Sequence, residues 1–145
     1  MGYCTPFNGL NYNDKKLYGT ELTVLKVCNL LSKMYDITIY NDIQSEEECE
    51  HNNIKYKRLL KLNTEIEDID LVIIVRYINF FTYISCPDKT KVVLWLHDIV
   101  CQSSYEGIQF YQYSKHLLNN IKHKINKVVC VSEFHKKFIN DFYKL

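Results

Sequence analysis

Three short polar motifs, Arg76-Tyr77, His97-Asp98 and Ser132-Glu133, each stand directly after an apolar run, and a fourth, Gly19-Thr20-Glu21, closes the loop behind a short apolar start. These are the residues whose types could do chemistry. A histidine with an ordinary pKa near 6.5 can hold or move a proton at neutral pH, or donate a hydrogen bond to a sugar hydroxyl. Gly19 lets a ligand approach the backbone, and the free N–H groups and dipole of a helix opening there attract an anion. Arg76 is one of only two arginines, against 16 lysines, and adds a fixed positive charge. Taken singly, Ser132 reads as a helix cap and Arg76 as the partner of a surface acid. Their joint placement argues for a site that takes a phosphate-bearing ligand.

The motifs of other chemistries are missing. Neither a Gly-x-Gly-x-x-Gly turn nor a P-loop nor a Gly-x-Ser-x-Gly elbow occurs, so dinucleotide binding, P-loop chemistry and the α/β-hydrolase reading are unsupported. His51, His97, His116, His123 and His135 have no paired spacing with Cys or Asp of the kind a zinc site needs. The acidic run Glu46-Glu47-Glu48, with Cys49 and Glu50, reads as a solvated loop or helix start, and no metal is expected.

The elements that must position these residues follow from periodicity. Tyr3-Cys4-Thr5 reads as a clipped first strand before a turn-rich loop. Leu22, Leu25, Cys28, Leu31 and Met34 recur at helical spacing, predicting a helix over 20–34 with Thr20 as N-cap and Glu21 at its positive end. Strands are predicted at 36–40, at about 54–57, and at 70–75, 91–96 and 127–131. The last three are continuous β-branched runs that call for burial on both faces, as in a parallel sheet covered by helices. A helix at 109–123 and a final helix capped by Ser132 complete the order, with Phe134, Phe138 and Phe142 expected to pack on the sheet. Alternation of this kind predicts a single α/β domain over 1–145, doubly wound, with a mainly parallel sheet and helices on both faces. In such a sheet a ligand sits beyond the carboxyl ends of the strands, where these motifs fall.

Composition sets the limits. The chain has 145 residues, a net charge of +1, 47% hydrophobic and 24% charged residues, enough for one core and too little field to gather a polyanion. No nucleic-acid partner is expected. The absence of alanine beside 12 tyrosines reads as the coding bias of an AT-rich genome. Six cysteines at wide spacings, several inside apolar runs, read as free buried thiols of a reducing compartment. With neither a signal sequence nor a membrane span in the pattern, a cytoplasmic protein is expected.

At these residues the chain resembles the N-terminal domain of the family 4 (group 1) retaining glycosyltransferases, which are built from two facing Rossmann-like domains. The matching pieces are Tyr18-Gly19-Thr20-Glu21-Leu22, Asp36-Ile37-Thr38-Ile39-Tyr40, Asp70-Leu71-Val72-Ile73-Ile74-Val75-Arg76, Val93-Leu94-Trp95-Leu96-His97-Asp98, and Lys127-Val128-Val129-Cys130-Val131-Ser132-Glu133-Phe134-His135-Lys136. They cover nearly the whole chain in order. The resemblance implies transfer of a sugar from a nucleotide-sugar donor to an acceptor hydroxyl of a glycan, lipid or protein, with retention and without a cofactor or metal. It implies Gly19, Thr20 and Glu21 near the donor phosphates, and His97 with Asp98 at the reacting sugar. Arg76, Tyr77, Ser132, Glu133 and the loop from Asp98 to Gly107 would meet the acceptor.

Two departures stand out. Tyr18 occupies the place of the family's first turn glycine, and the nucleotide-binding C-terminal domain has no counterpart in these residues. The expectation is therefore an acceptor-side half that needs a second domain or subunit. The alternative is a non-catalytic glycan- or protein-binding module derived from such a domain. Membrane contact through the final helix is the less favoured reading.

Overall fold

A computed structural model describes residues 5–13, 16–98 and 108–145, with the side chains of 108–114 left aside. The chain divides into two compact units, Met1–Thr64 and Glu65–Leu145. The described residues hold five α-helices and two three-stranded sheets, so the protein is mixed α/β. The expected single sheet is thus replaced by two small, mostly parallel ones.

In the first unit, helix α1 (Gly19–Leu31) precedes strand β1 (Ile37–Asn41), and β2 (Cys49–His51) and β3 (Ile54–Arg58) form a hairpin. The strand order is β1-β3-β2, with β1 parallel and β2 antiparallel to β3. The hairpin loop is the pair Asn52-Asn53, with His51 opposite Ile54. Both asparagines have positive φ, 53° and 59°, the backbone of a type I′ turn, whose twist suits a two-residue hairpin and which asparagine tolerates. That turn explains β2, a Cys-Glu-His segment of little strand propensity that pairing in register nevertheless extends.

Phe7, Leu25, Ile39, Ile43, Ile54 and Tyr56 form the core of this unit, and the Phe7 ring meets Tyr56 edge-on at 6.2 Å. Burial, with Cys28, Cys49 and Tyr12 nearby, pushes the Tyr56 phenol up to about 12. The loop ahead of α1 is tied down by buried Asn8. Its Oδ1 accepts from the N–H groups of Leu10 and Asn11, and its Nδ2 donates to the Glu47 carbonyl at 2.6 Å.

The acidic run becomes a short 3₁₀ turn, Ser45–Glu47, closed by the Glu47 carboxylate accepting from the Gln44 N–H at 2.9 Å. Glu48 turns instead to Lys61 and Arg58, whose N–H and Nε donate to its carboxylate at 3.1 and 3.2 Å. Lys61 first, then Arg58, hold the Glu48 carboxyl down to about 2. A lowered folded-state pKa contributes stability that is complete above the ordinary value of 4.5 and fades as pH falls from there towards 2. Acid denaturation of Glu48→Gln followed by circular dichroism should accordingly show a shallower loss of stability between about pH 4.5 and 2 than the parent chain. An unchanged acid limb would remove this cluster from the acid response.

A helical run that the sequence pattern does not predict covers Leu59–Lys61, α2 (Leu62–Glu65) and Ile66–Asp68, alternating 3₁₀ and α turns around buried Leu62 and Ile66. It leads to β4 (Leu71–Val75), α3 (Phe80–Tyr83), β5 (Lys91–Leu96), α4 (Ile108–Ile121), β6 (Lys127–Cys130) and α5 (Glu133–Tyr143). The second sheet runs β4-β5-β6, all parallel, with Val75 beside Trp95 and Trp95 beside Val129. Val72, Ile74, Val92, Leu94 and Leu96 are buried on one face. On β4 the other face is open, with Leu71 and Ile73 at 49% and 42% exposure, so this strand is half-covered where its sequence predicts burial on both sides.

Helix α5 also departs from expectation. Its buried face is His135, Ile139 and Tyr143, while Phe134 is 70% exposed, and Phe138 and Phe142 stack on each other at 5.7 Å. Ser132 does cap the helix, its Oγ accepting from the His135 N–H at 3.1 Å. The Tyr3 and Cys4 part of the expected first strand, Cys101 and the loop beyond Asp98 to Gly107 lie outside the described residues. Cys28, Cys49, Cys86 and Cys130 are free thiols, and burial pushes Cys28, Cys86 and Cys130 above the ordinary value. Among the described residues, no helix is long and apolar enough to cross a membrane.

Candidate functional site

Parallel pairing of β4, β5 and β6 in the second unit brings three strand ends side by side, and each ends in a polar motif. Arg76 and Tyr77 follow β4, His97 and Asp98 follow β5, and Ser132 and Glu133 open α5 after β6. The ladder runs one residue past β4, with the Arg76 N–H donating to the Trp95 carbonyl at 2.9 Å. The backbone then turns sharply. Arg76 takes a φ of 68°, and the Tyr77 N–H donates back to the Val75 carbonyl at 2.8 Å. A left-handed conformation in a long side chain is uncommon and costs about 1 kcal/mol, so it is held by its surroundings.

Asp98 and Tyr77 supply those surroundings. The Arg76 Nε donates to Asp98 Oδ2 at 2.7 Å, a charge-assisted bond, and the guanidinium lies 5.6 Å from the centre of the Tyr77 ring. The Arg76 side chain is only 16% exposed, so the pair is shielded enough to hold geometry. The neighbouring His97 ring lies 4.9 Å from the Trp95 ring, tilted by 44°, with its Nε2 closed off from solvent. Asp98 is gripped a second time through its main chain, since the ring Nε2 of His135 lies 2.7 Å from its carbonyl oxygen.

Of the residues predicted as a site, Arg76 thus meets both Asp98 and Tyr77, and His97, just past the end of β5, is the chain neighbour of Asp98. Ser132 is present as a cap, its hydroxyl engaged by His135. Glu133 is 90% exposed and reaches Lys136 at 3.6 Å. His135 is the residue the sequence pattern passes over. It sits in the first turn of α5, where a histidine on an apolar face reads as core, and only its contact with the Asp98 carbonyl shows otherwise.

Gly19, Thr20 and Glu21 belong to the first unit. Helix α1 begins at Gly19, with all three residues of the predicted motif inside it, so Thr20 is not the N-cap: Tyr18 holds that position and offers no side-chain cap. The physical reason is that Thr23 Oγ1 and the Leu22 N–H already use the carbonyls of Gly19 and Tyr18, at 2.6 and 3.1 Å, winding the first turn one step earlier. The first N–H groups of α1 therefore have no side-chain cap, and a Cβ at Gly19 would meet nothing within 4 Å. An open backbone at an uncapped helix start suits an anion.

Glu21 is turned the other way. It is 3% exposed on the face that carries Leu25, and neither carboxylate oxygen has a hydrogen-bond partner. A buried group left without partners is a standing cost, offset in part by the dipole of the first turn. Glu21→Leu is expected to raise stability by about 1 kcal/mol in urea titration. A loss of stability would mean that the carboxylate has a structural partner.

Among the described residues, no group of three His, Cys, Asp or Glu side chains could hold a metal ion. No protein-family model, no curated protein and no solved structure matches the chain.

Proposed function

We propose that the chain is a glycosyltransferase-like domain, one that moves a sugar from a nucleotide-sugar donor to an acceptor hydroxyl with retention and supplies the acceptor side of a site that a second domain or subunit completes. The observation that carries this reading is the bonded cluster Arg76–Asp98–His135 at the carboxyl ends of adjacent parallel strands, with His97 beside it. Strand ends of this kind are where open α/β sheets bind ligands. On this reading the fold is doubly wound and Rossmann-like and the protein cytoplasmic, and the four free thiols among the described residues agree with that compartment.

Each residue then has a role its chemistry supports. His97 stands at the reacting sugar, where an imidazole can exchange a proton or a hydrogen bond with a hydroxyl. Asp98, fixed by Arg76, keeps the turn that presents His97. Arg76, Tyr77 and exposed Glu133 offer a cation, an aromatic surface and a carboxylate to a polyhydroxylated acceptor. The uncapped start of α1, with Gly19 and Thr20, takes the donor diphosphate through backbone N–H groups, so no metal is needed to neutralise it.

The test measures donor contact by saturation-transfer NMR and sugar transfer by product mass, over a panel of nucleotide sugars, with and without a nucleotide-binding domain supplied as partner. Weak donor contact by the chain alone, and transfer only with the partner, is the expected result. Robust transfer by the isolated chain would sink the half-site idea. No contact with any nucleotide sugar in either mixture would sink the function.

A further inference from the structure

The imidazole of His135 bridges the start of α5 and the end of β5. Val131 N–H donates to its Nδ1 at 3.4 Å, so Nδ1 carries no proton, and the ring's one proton is on Nε2, which donates to the Asp98 carbonyl oxygen at 2.7 Å. The residue is 3% exposed, and its own N–H is held by the Ser132 hydroxyl at 3.1 Å. Both ring nitrogens and the backbone donor are therefore engaged. A ring so occupied cannot act as a general base towards a ligand, but it can hold a neighbour in place.

What it holds is the main chain of Asp98, the residue after His97. Asp98 is fixed at two points, its carbonyl by His135 and its carboxylate by Arg76 Nε at 2.7 Å. If the carbonyl is released, the Asp98 main chain loses one of its two anchors, and the carboxylate loses the alignment that a short charge-assisted bond requires. We propose that His135 is a positioning residue: through the Asp98 main chain its neutral Nε2–H tautomer sets the Arg76–Asp98 pair and, with it, the orientation of the β5 end that carries His97. The functional importance of this rests on the proposed reading of the strand ends, but the positioning itself does not, and it is tested without substrate.

The first measurement is the tautomer in the parent chain by long-range ¹H–¹⁵N correlation, where a proton on Nε2 and a bare Nδ1 are expected. A proton on Nδ1 overturns the proposal outright. The second is solvent exchange of the Arg76 Nε–H in two polar variants. His135→Gln places its amide near Nε2 and keeps a donor for Asp98, whereas His135→Asn reaches only to Nδ1 and keeps the Val131 contact. The Arg76 Nε–H should exchange about tenfold faster in His135→Asn, the factor that goes with losing roughly one hydrogen bond, and near the parent rate in His135→Gln. Equal exchange in the two variants, at equal melting temperature, overturns the role. If positioning holds but no transfer is ever detected, the functional reading fails while this inference stands.

Discussion

On the proposed glycosyltransferase reading, a His97→Ala chain assayed with a nucleotide-binding domain is expected to lose transfer by about 10²- to 10⁴-fold, the range associated with removing a positioned proton-handling side chain. The same variant should keep its fold, because the β5 ladder ends at Leu96 and the Arg76–Asp98 and His135–Asp98 bonds do not run through the imidazole. Its melting curve and the Arg76 Nε–H signal serve as the controls. Turnover within a few-fold of the parent would remove His97 from the mechanism. A lower affinity for acceptor with unchanged turnover would make it a binding residue alone.

The largest expected effect on stability is at Gly9. A Cβ there would lie 2.3 Å from the Cβ of His51, with His51 Cγ at 2.8 Å and Tyr56 Cε2 at 2.9 Å. His51 Cβ is fixed to the backbone of β2, and Tyr56 is fully buried in β3, so neither can yield without moving the hairpin. Gly9→Ala should therefore cost about 3 kcal/mol in urea titration. Gly19→Ala is the matched comparison. With nothing within 4 Å of the added methyl, and a helical position to favour it, stability should be unchanged or slightly raised. Any donor-phosphate role would then show as weaker binding in a protein that folds as well as before. A Gly9→Ala chain as stable as Gly19→Ala would contradict the packing described.

The parts of the structure legible in the sequence are those where one local rule decides. The runs at 71–75, 92–96 and 128–130 are apolar and rich in β-branched residues, and all three belong to parallel strands in sequence order. Ser132 ahead of Glu133 marks a helix start because a hydroxyl there meets a free N–H. What was not legible depends on partners distant in sequence. The segment Leu59–Asp68 has apolar residues at no steady period, since its turns change from 3₁₀ to α and back. The burial of α5 through His135, Ile139 and Tyr143 is invisible to a rule that ranks phenylalanine above histidine. Strand pairing into two sheets is likewise a matter of which strand each edge finds. For the site, residue types after each strand pointed to Arg76 and Asp98. The bond between them, and the hold of His135 on Asp98, belong to the register of β4, β5 and α5.

The left-handed backbone of Arg76 puts position 76 under two opposed demands on inheritance. Glycine or asparagine would relax the turn, yet neither can reach the Asp98 carboxylate as a cation. Lineages that still use the strand ends should therefore keep arginine against a backbone that disfavours it, and lineages that have given up the chemistry should drift there first. One codon would thus record whether a descendant of this chain still relies on the Arg76–Asp98 pair.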